Sequence, residues 1–253
     1  MIQITNLSKH YGQLPAVDNL SIDVAAGEIF GFLGPNGAGK TTTIRCMMGI
    51  LKATTGQVLL DGHDVVNDAQ RAKAISGFIP DRPFIYEKLS GREFLNFIGK
   101  LHRVDAARLS KRIAELLELL ELTPWQDELV ESYSHGMKQR LVVCGALIHQ
   151  PKILVVDEPM VGMDPKGART LKDLFRALAQ SGTTVFLSTH SIAVAEEICH
   201  RIGIIRKGRL IACGDMAEIH RQASANNGVN GNLESAFLEL TREAEGEERV
   251  RDS

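Results

Sequence analysis

The apolar positions along this chain switch between a period of two and a period near 3.6, and the switching predicts alternating strands and helices. Residues 2–7 (IQITNL) and 20–24 (LSIDV) mix apolar and polar side chains in the manner of half-buried strands. After the Ala26-Gly27-Glu28 turn, residues 29–33 (IFGFL) form an unbroken apolar run, the first candidate for a central strand. Residues 57–61 (QVLLD), 153–156 (ILVV), 183–187 (TTVFL) and 202–205 (IGII) predict further strands, and Lys207-Gly208 a turn into 209–213. Helices are predicted over 40–50 and 136–148. Another follows Asp164-Pro165, an N-cap and a pre-set first residue ahead of Leu171, Leu174, Phe175 and Leu178, with Gly182 to end it. Ser191 opens one more.

Between about 89 and 133 the pattern is helical throughout. Ser90 and Glu93 have capping-box spacing, and Asp105 can cap a helix carrying Leu109, Ile113, Leu116, Leu117 and Leu120 on one face. Strands alternating with helices predict an α/β fold with a mostly parallel sheet covered on both faces. A helical lobe is inserted at about 83–148 in a domain spanning 1–222, followed by a short extension over 223–253. Residues 223–232 (ASANNGVNGN) read as a loop, and the charged stretch from about 243 has few core-forming residues.

Composition narrows the class. Apolar residues make up 44% of the 253 and charged residues 24%, ordinary for a globular protein. A net charge of -2 offers no bulk field for nucleic acid, and none is expected as a direct partner. Cys46, Cys144, Cys199 and Cys213 are scattered with no CxxC pair, which favours free thiols over a metal site or a disulfide framework. The polar opening predicts no signal peptide. The longest apolar run, 141–148 (LVVCGALI), is far short of the roughly 20 residues a bilayer crossing needs. A membrane role would therefore run through a partner.

Chemistry enters at Gly34-Pro35-Asn36-Gly37-Ala38-Gly39-Lys40-Thr41-Thr42, which satisfies GxxxxGK[ST] between a strand and a helix. Glycines let successive backbone N–H groups curl around phosphate oxygens, and the helix start faces the same anion. Lys40 is placed to reach the β- and γ-phosphates, and the Thr41 hydroxyl to ligate Mg²⁺. A second site appears where the ILVV strand leaves the core as Asp157-Glu158-Pro159. Alone, this pair would equally suit the start of a surface loop. Ligands of parallel sheets bind beyond the carboxyl ends of strands, so beside a phosphate loop the pair reads as Asp157 for Mg²⁺ and Glu158 for the attacking water.

With these motifs in order, residues 2–215 closely resemble the ATP-binding subunit of ABC transporters. The resemblance implies a P-loop NTPase core with an N-terminal antiparallel β subdomain and an inserted helical lobe. It implies that Tyr11, in KHYG, stacks on adenine. The segment Tyr133-Ser134-His135-Gly136-Met137-Lys138-Gln139-Arg140 matches the family signature, which would bind the γ-phosphate held by the opposite subunit through Ser134, His135, Gly136 and Met137. Gly162-Met163-Asp164-Pro165 resembles the D-loop, and Ser188-Thr189-His190 the switch-histidine segment. The sequence departs from the family in two places. Asp81 stands where glutamine is usual, so it can contact water or Mg²⁺ but cannot donate an amide hydrogen bond. His135 and Met137 replace glycine and glutamine in the signature.

The resemblance implies Mg²⁺-dependent ATP hydrolysis by a homodimer or heterodimer that sandwiches nucleotide head to tail, with separate transmembrane permease subunits as partners. It places the chain on the cytoplasmic face of a bacterial membrane. Phe84, Ile85 and Tyr86 either fill a groove on a permease helix or pack within the lobe. The stretch 232–241 (NLESAFLELT), with the 78–91 region, is similar to ABC-2-type exporter ATPases. The alternative is an ATPase of the same superfamily acting on a ribosomal, nucleic-acid or other soluble partner.

Overall fold

The computed structural model describes residues 1–82, 84–160 and 162–227, with side chains described as far as residue 222. Two sheets organise it. The first is antiparallel in the order β2-β1-β4-β5, from β1 (Ile2–Tyr11), β2 (Leu14–Val24), β4 (Thr55–Leu60) and β5 (His63–Asp64). The second contains β3 (Ile29–Leu33), β6 (Ser76–Ile79), β7 (Ile153–Asp157), β8 (Thr184–Thr189), β9 (Arg201–Arg206) and β10 (Arg209–Gly214). Its order is β10-β9-β3-β8-β7-β6, parallel except for β10 against β9.

The unbroken apolar runs lie at the centre of the second sheet, where every residue of β3, β7 and β8 is buried. Both faces are covered because the period of two sends neighbours into different cores. Leu154, Val156, Val185 and Leu187 join the core beneath the helical region, while Ile153, Val155 and Phe186 join the core beneath the antiparallel sheet. Phe186 stacks on Phe30 at 5.6 Å and meets Phe32 at 5.4 Å. Each such aromatic pair adds roughly 0.5–1.5 kcal/mol to the area it buries.

The helices are α1 (Lys40–Met47), α2 (Ala69–Ala74), α3 (Gly91–Leu101), α4 (Ala106–Leu119), α5 (His135–Leu147), α6 (Pro165–Gln180), α7 (Ile192–Ile198) and α8 (Met216–Asn227). Helices α3, α4 and α5 lie between β6 and β7, with two 3₁₀ turns at Thr123–Trp125 and Val130–Ser132. The Ser90–Glu93 capping box is fully formed, and Asp105 accepts from the N–H groups of Ala107 and Arg108. Leu109, Ile113, Leu116 and Leu117 form the buried stripe of α4.

Two sequence readings need correction, and a third holds in position only. The helix expected over 40–50 ends at Met47, where Met48 and Gly49 turn the chain. Residues 223–227, read as loop, belong to α8, so that helix continues past 222; the polar composition of ASANN concealed it. Asp164 occupies the N-cap of α6 but makes no side-chain capping bond. Residues 228–253, including the 232–241 stretch, lie outside the described residues. All four cysteines are free, as expected. Among the described residues no helix is long and apolar enough to cross a membrane.

A stacked histidine pair closes the junction between α3 and the end of α5. His102 and His149 lie 3.7 Å apart at 10°, and His149 Nε2–H donates to the Ser76 carbonyl at 3.1 Å. Burial, helped by the neighbouring His102, lowers the His149 pKa to about 4. The unfolded chain, with this ring near its ordinary value of about 6.5, therefore takes up the proton first as pH falls. The folded chain should lose about 1–2 kcal/mol between pH 6.5 and 4, after allowance for solvent screening. Urea unfolding across that range should show a smaller loss in His149→Asn than in the wild type.

Candidate active site

Strand register brings the chemical groups together. In the parallel ladder Leu33 pairs with Thr189 and Asp157 with Ser188, so β3, β8 and β7 end side by side. The loop after β3 is Gly34–Gly39, the acidic pair ends β7, and His190 follows β8. Gly39 has φ +111°, and a Cβ there would lie 2.5 Å from the Ala16 carbonyl oxygen. Only glycine suits that position, where the loop presses on β2 before entering α1.

Lys40 is buried, and its ammonium donates to the carbonyls of Gly34 at 2.7 Å and Pro35 at 3.2 Å. It also lies 3.4 Å from Glu158 Oε1, an ion pair without hydrogen-bond geometry. The other carboxylate oxygen, Oε2, is 2.9 Å from His190 Nδ1. A carboxylate only accepts, so with Glu158 ionised the His190 proton sits on Nδ1 and Nε2 is left for solvent or substrate. Glu158 adopts φ +50°, a left-handed conformation costing roughly 1–2 kcal/mol for a residue with a side chain. Its N–H is held at 3.2 Å from both the carbonyl and the hydroxyl of Ser188. The strained turn aims the carboxylate between the lysine and the histidine.

Asp157 is buried and accepts from the Ser188 hydroxyl, with a further hydrogen bond from Thr41. Burial raises its pKa, as do the carboxylates of Asp81 and Glu158, against the lowering effect of those two hydrogen bonds. A hard divalent cation fits this arrangement, because it would relieve the crowding of negative charge and take oxygen donors. No trio of His, Cys, Asp or Glu among the described residues forms a closed metal cage. Such a site suits Mg²⁺ bound by one or two protein oxygens together with phosphates and water, and Thr41, Asp157 and Asp81 are the residues that could hold it.

A cavity of about 260 Å³ is lined by Lys40, Thr41, Thr42, Asp81 and Glu158, with Pro35, Asn36, Gly37, Gly39 and Ala16 on its walls. Ala38 is buried behind it. Tyr11 stands at the end of β1, half-exposed, with Lys9 Nζ 5.2 Å from its ring centre. Neither Tyr11 nor residues 134–137 nor Asp164 lines the cavity. Ser134 instead caps α5 by accepting from the Met137 N–H at 3.2 Å, and Gly136 leaves open space beside its Cα. Two contacts at the candidate site escaped the sequence reading: the anchoring of both acidic residues by Ser188, named there only within the switch-histidine segment, and the wall that Ala16 gives the phosphate loop. The cross-strand register that places them has no signature in a single sequence.

Phe84, Ile85 and Tyr86 divide. Phe84 is 90% exposed, Tyr86 leans edge-on against Phe97 at 5.4 Å, and Ile85 packs onto the main core.

A glycine-rich loop between strand and helix, with an acidic strand end beside its lysine, defines a P-loop NTPase. Residues 17–161, more than half of the chain, match the ABC transporter family. The chain is 37% identical over 225 residues to the daunorubicin resistance ATP-binding protein DrrA3 of Streptomyces coeruleorubidus, covering 89% of this chain and 71% of that one. It is 39% identical over 215 residues to the bacitracin transport ATP-binding protein BcrA of Bacillus licheniformis (83% and 68%). It is 38% identical over 213 residues to the Nod factor export ATP-binding protein I of Paraburkholderia xenovorans (84% and 70%). Among solved structures, an ATP-binding subunit of an ABC transporter superposes with TM-score 0.89 at 27% identity, covering 96% of this chain and all of that one. A dimeric ATP-binding cassette in a post-hydrolysis state with ADP and Pi superposes with TM-score 0.77 at 25% identity (85% and 98%). This chain belongs to the ABC transporter family as an ATP-binding subunit, homologous to the ATPase subunits of ABC-2-type exporters.

Lys40→Ala removes the cation of the phosphate loop. Fluorescent-nucleotide titration should show ATP affinity reduced by at least about tenfold, with the fold retained by circular dichroism.

Proposed function

We propose that this chain hydrolyses ATP as one half of a head-to-tail pair and drives export through separate transmembrane permease subunits. The observation that carries this reading is the meeting of Lys40, Asp157, Glu158 and His190 at the ends of three adjacent parallel strands, with the signature segment outside the cavity that Lys40 and Glu158 line. An α5 N-terminus that does not line its own chain's phosphate cavity suits a nucleotide held by another copy. The dimeric cassette structure and the exporter relatives support both halves of the proposal.

In this account the loop amides of Gly34–Thr42 and Lys40 hold the β- and γ-phosphates, and Tyr11 stacks on adenine. Thr41 and Asp157, with Asp81 near, would hold Mg²⁺, which would supply charge neutralisation to the transferring phosphoryl group. Glu158 accepts the proton of the attacking water, and His190, fixed through Nδ1, presents Nε2 to that water or, when protonated, to a phosphate oxygen. Lys40, the opposing Ser134 hydroxyl and the backbone amides of the opposing signature residues His135, Gly136 and Met137 stabilise the developing charge. Asp164 contributes from the D-loop. Once the phosphate bond is cut, the contact shared by the two copies is lost and the pair separates.

Residues 1–222 form the ATP-binding unit in this reading, 83–148 its helical lobe and 223–253 an extension. An apolar cavity of about 370 Å³ between the core and the lobe, lined by Phe78, Pro80, Phe84, Phe94, Ile98 and Val142, receives the permease. The chain then sits peripherally on the inner face of the membrane.

Glu158→Gln should keep ATP affinity and lose most turnover, by about 10²-fold or more. It should also accumulate as an ATP-bound dimer in size-exclusion chromatography. Turnover at the wild-type rate would remove Glu158 from the role of base.

A further inference from the structure

Of the two signature residues that depart from the family pattern, His135 and Met137, the first meets the loop following Glu158. His135 is the first residue of α5, directly after the Ser134 cap. A Cβ on Gly162 would lie 2.8 Å from His135 Cδ2 and 3.0 Å from Nε2, so the edge of the imidazole rests on the bare Cα of Gly162. Gly162 has φ +77°, which suits glycine, and any side chain there would have to displace the ring. Met137, in the first turn of α5, packs partly buried against the same apolar core as Met160 and Met163 of that loop. A serine-capped helix needs no particular side chain at its first position, so capping does not account for an imidazole here.

The contact lies close to the chemistry. Gly162 follows Glu158 in a short loop that ends at the α6 N-cap, Asp164, and the Met163 N–H closes a turn onto the Met160 carbonyl at 3.3 Å. Glu158 is already in a strained left-handed turn, with its two carboxylate oxygens addressed to Lys40 and His190. A misplacement of about 1 Å in such a group can cost about 10²-fold in rate. Helix α5 is a rigid element of 13 residues, so a displacement of its N-terminus moves the ring as a body.

We propose that His135 is a positioning residue: its ring, seated on Gly162, ties the position of the α5 N-terminus to the backbone four residues after Glu158, and so to the placement of that carboxylate. Nucleotide held against the signature by a second copy would thereby set the alignment of the base in the first copy's own site. That coupling rests on the sandwich reading above, whereas the local positioning does not.

The test is steady-state ATP hydrolysis by the full chain with Mg²⁺. His135→Ala should lower kcat by about tenfold while KM for ATP stays within about twofold and the thermal midpoint is unchanged. His135→Gln, close in size, should recover most of the loss. Gly162→Ala should also lower kcat, and the double variant His135→Ala/Gly162→Ala should be no slower than the worse single variant, since both break one contact. Wild-type kcat in His135→Ala, or losses that multiply in the double variant, would overturn the proposal. If Gly162→Ala does not fold, the alanine and glutamine variants at 135 decide alone. Wild-type hydrolysis should be cooperative in ATP, and His135→Ala should lose that cooperativity. An absence of ATP-dependent dimers in Glu158→Gln would remove the coupling and the sandwich together, leaving local positioning to stand or fall on kcat. Dimers in Glu158→Gln with unaltered kcat and cooperativity in His135→Ala would remove the positioning role and leave the sandwich intact.

Discussion

The parallel register of β3, β8 and β7 is the constraint on which the rest of this protein depends. Pairing Asp157 with Ser188, and Thr189 with Leu33, brings three loops to one edge of the sheet. A one-residue slip would turn Phe186 and Val155 out of one core and Val156 and Leu187 out of the other, so two hydrophobic cores hold the register at once. The placing of a lysine, two carboxylates and an imidazole at one edge of the sheet is thus secured by apolar side chains buried beneath the candidate site.

Ser188 is the residue that joins packing to chemistry. Its hydroxyl donates to Asp157, and its hydroxyl and carbonyl both receive the Glu158 N–H. One strand end therefore fixes a buried carboxylate suited to a cation and, beside it, the strained turn that aims the candidate base. The Asp157 pKa is raised by its surroundings, chiefly burial, which marks a place where positive charge is wanted. Local strain and electrostatic crowding occur at adjacent residues, as expected where structure is maintained for function.

Much of this was legible in the sequence because the informative signals are local. GxxxxGK[ST], the run into Asp157-Glu158 and the Ser90–Glu93 box each span a few residues, and the structure shows the strand, loop and helix they require. Signals were weaker where a short element borrows its stability from neighbours. Residues 76–79 form a strand because β7 pairs with them, and 63–64 because β4 does; neither carries a pattern of its own. The roles of Ser188 and Ala16, and the seating of His135 on Gly162, depend on contacts between distant segments and needed coordinates.

The most direct test of the account is a structure of the Glu158→Gln chain with Mg²⁺ and ATP. The account predicts γ-phosphate within hydrogen-bonding distance of Lys40 and His190, Thr41 and Asp157 on the cation, and the partner subunit's Ser134 closing the other side. Nucleotide bound away from the Gly34–Thr42 loop, or a Ser134 remote from every bound ATP, would contradict it.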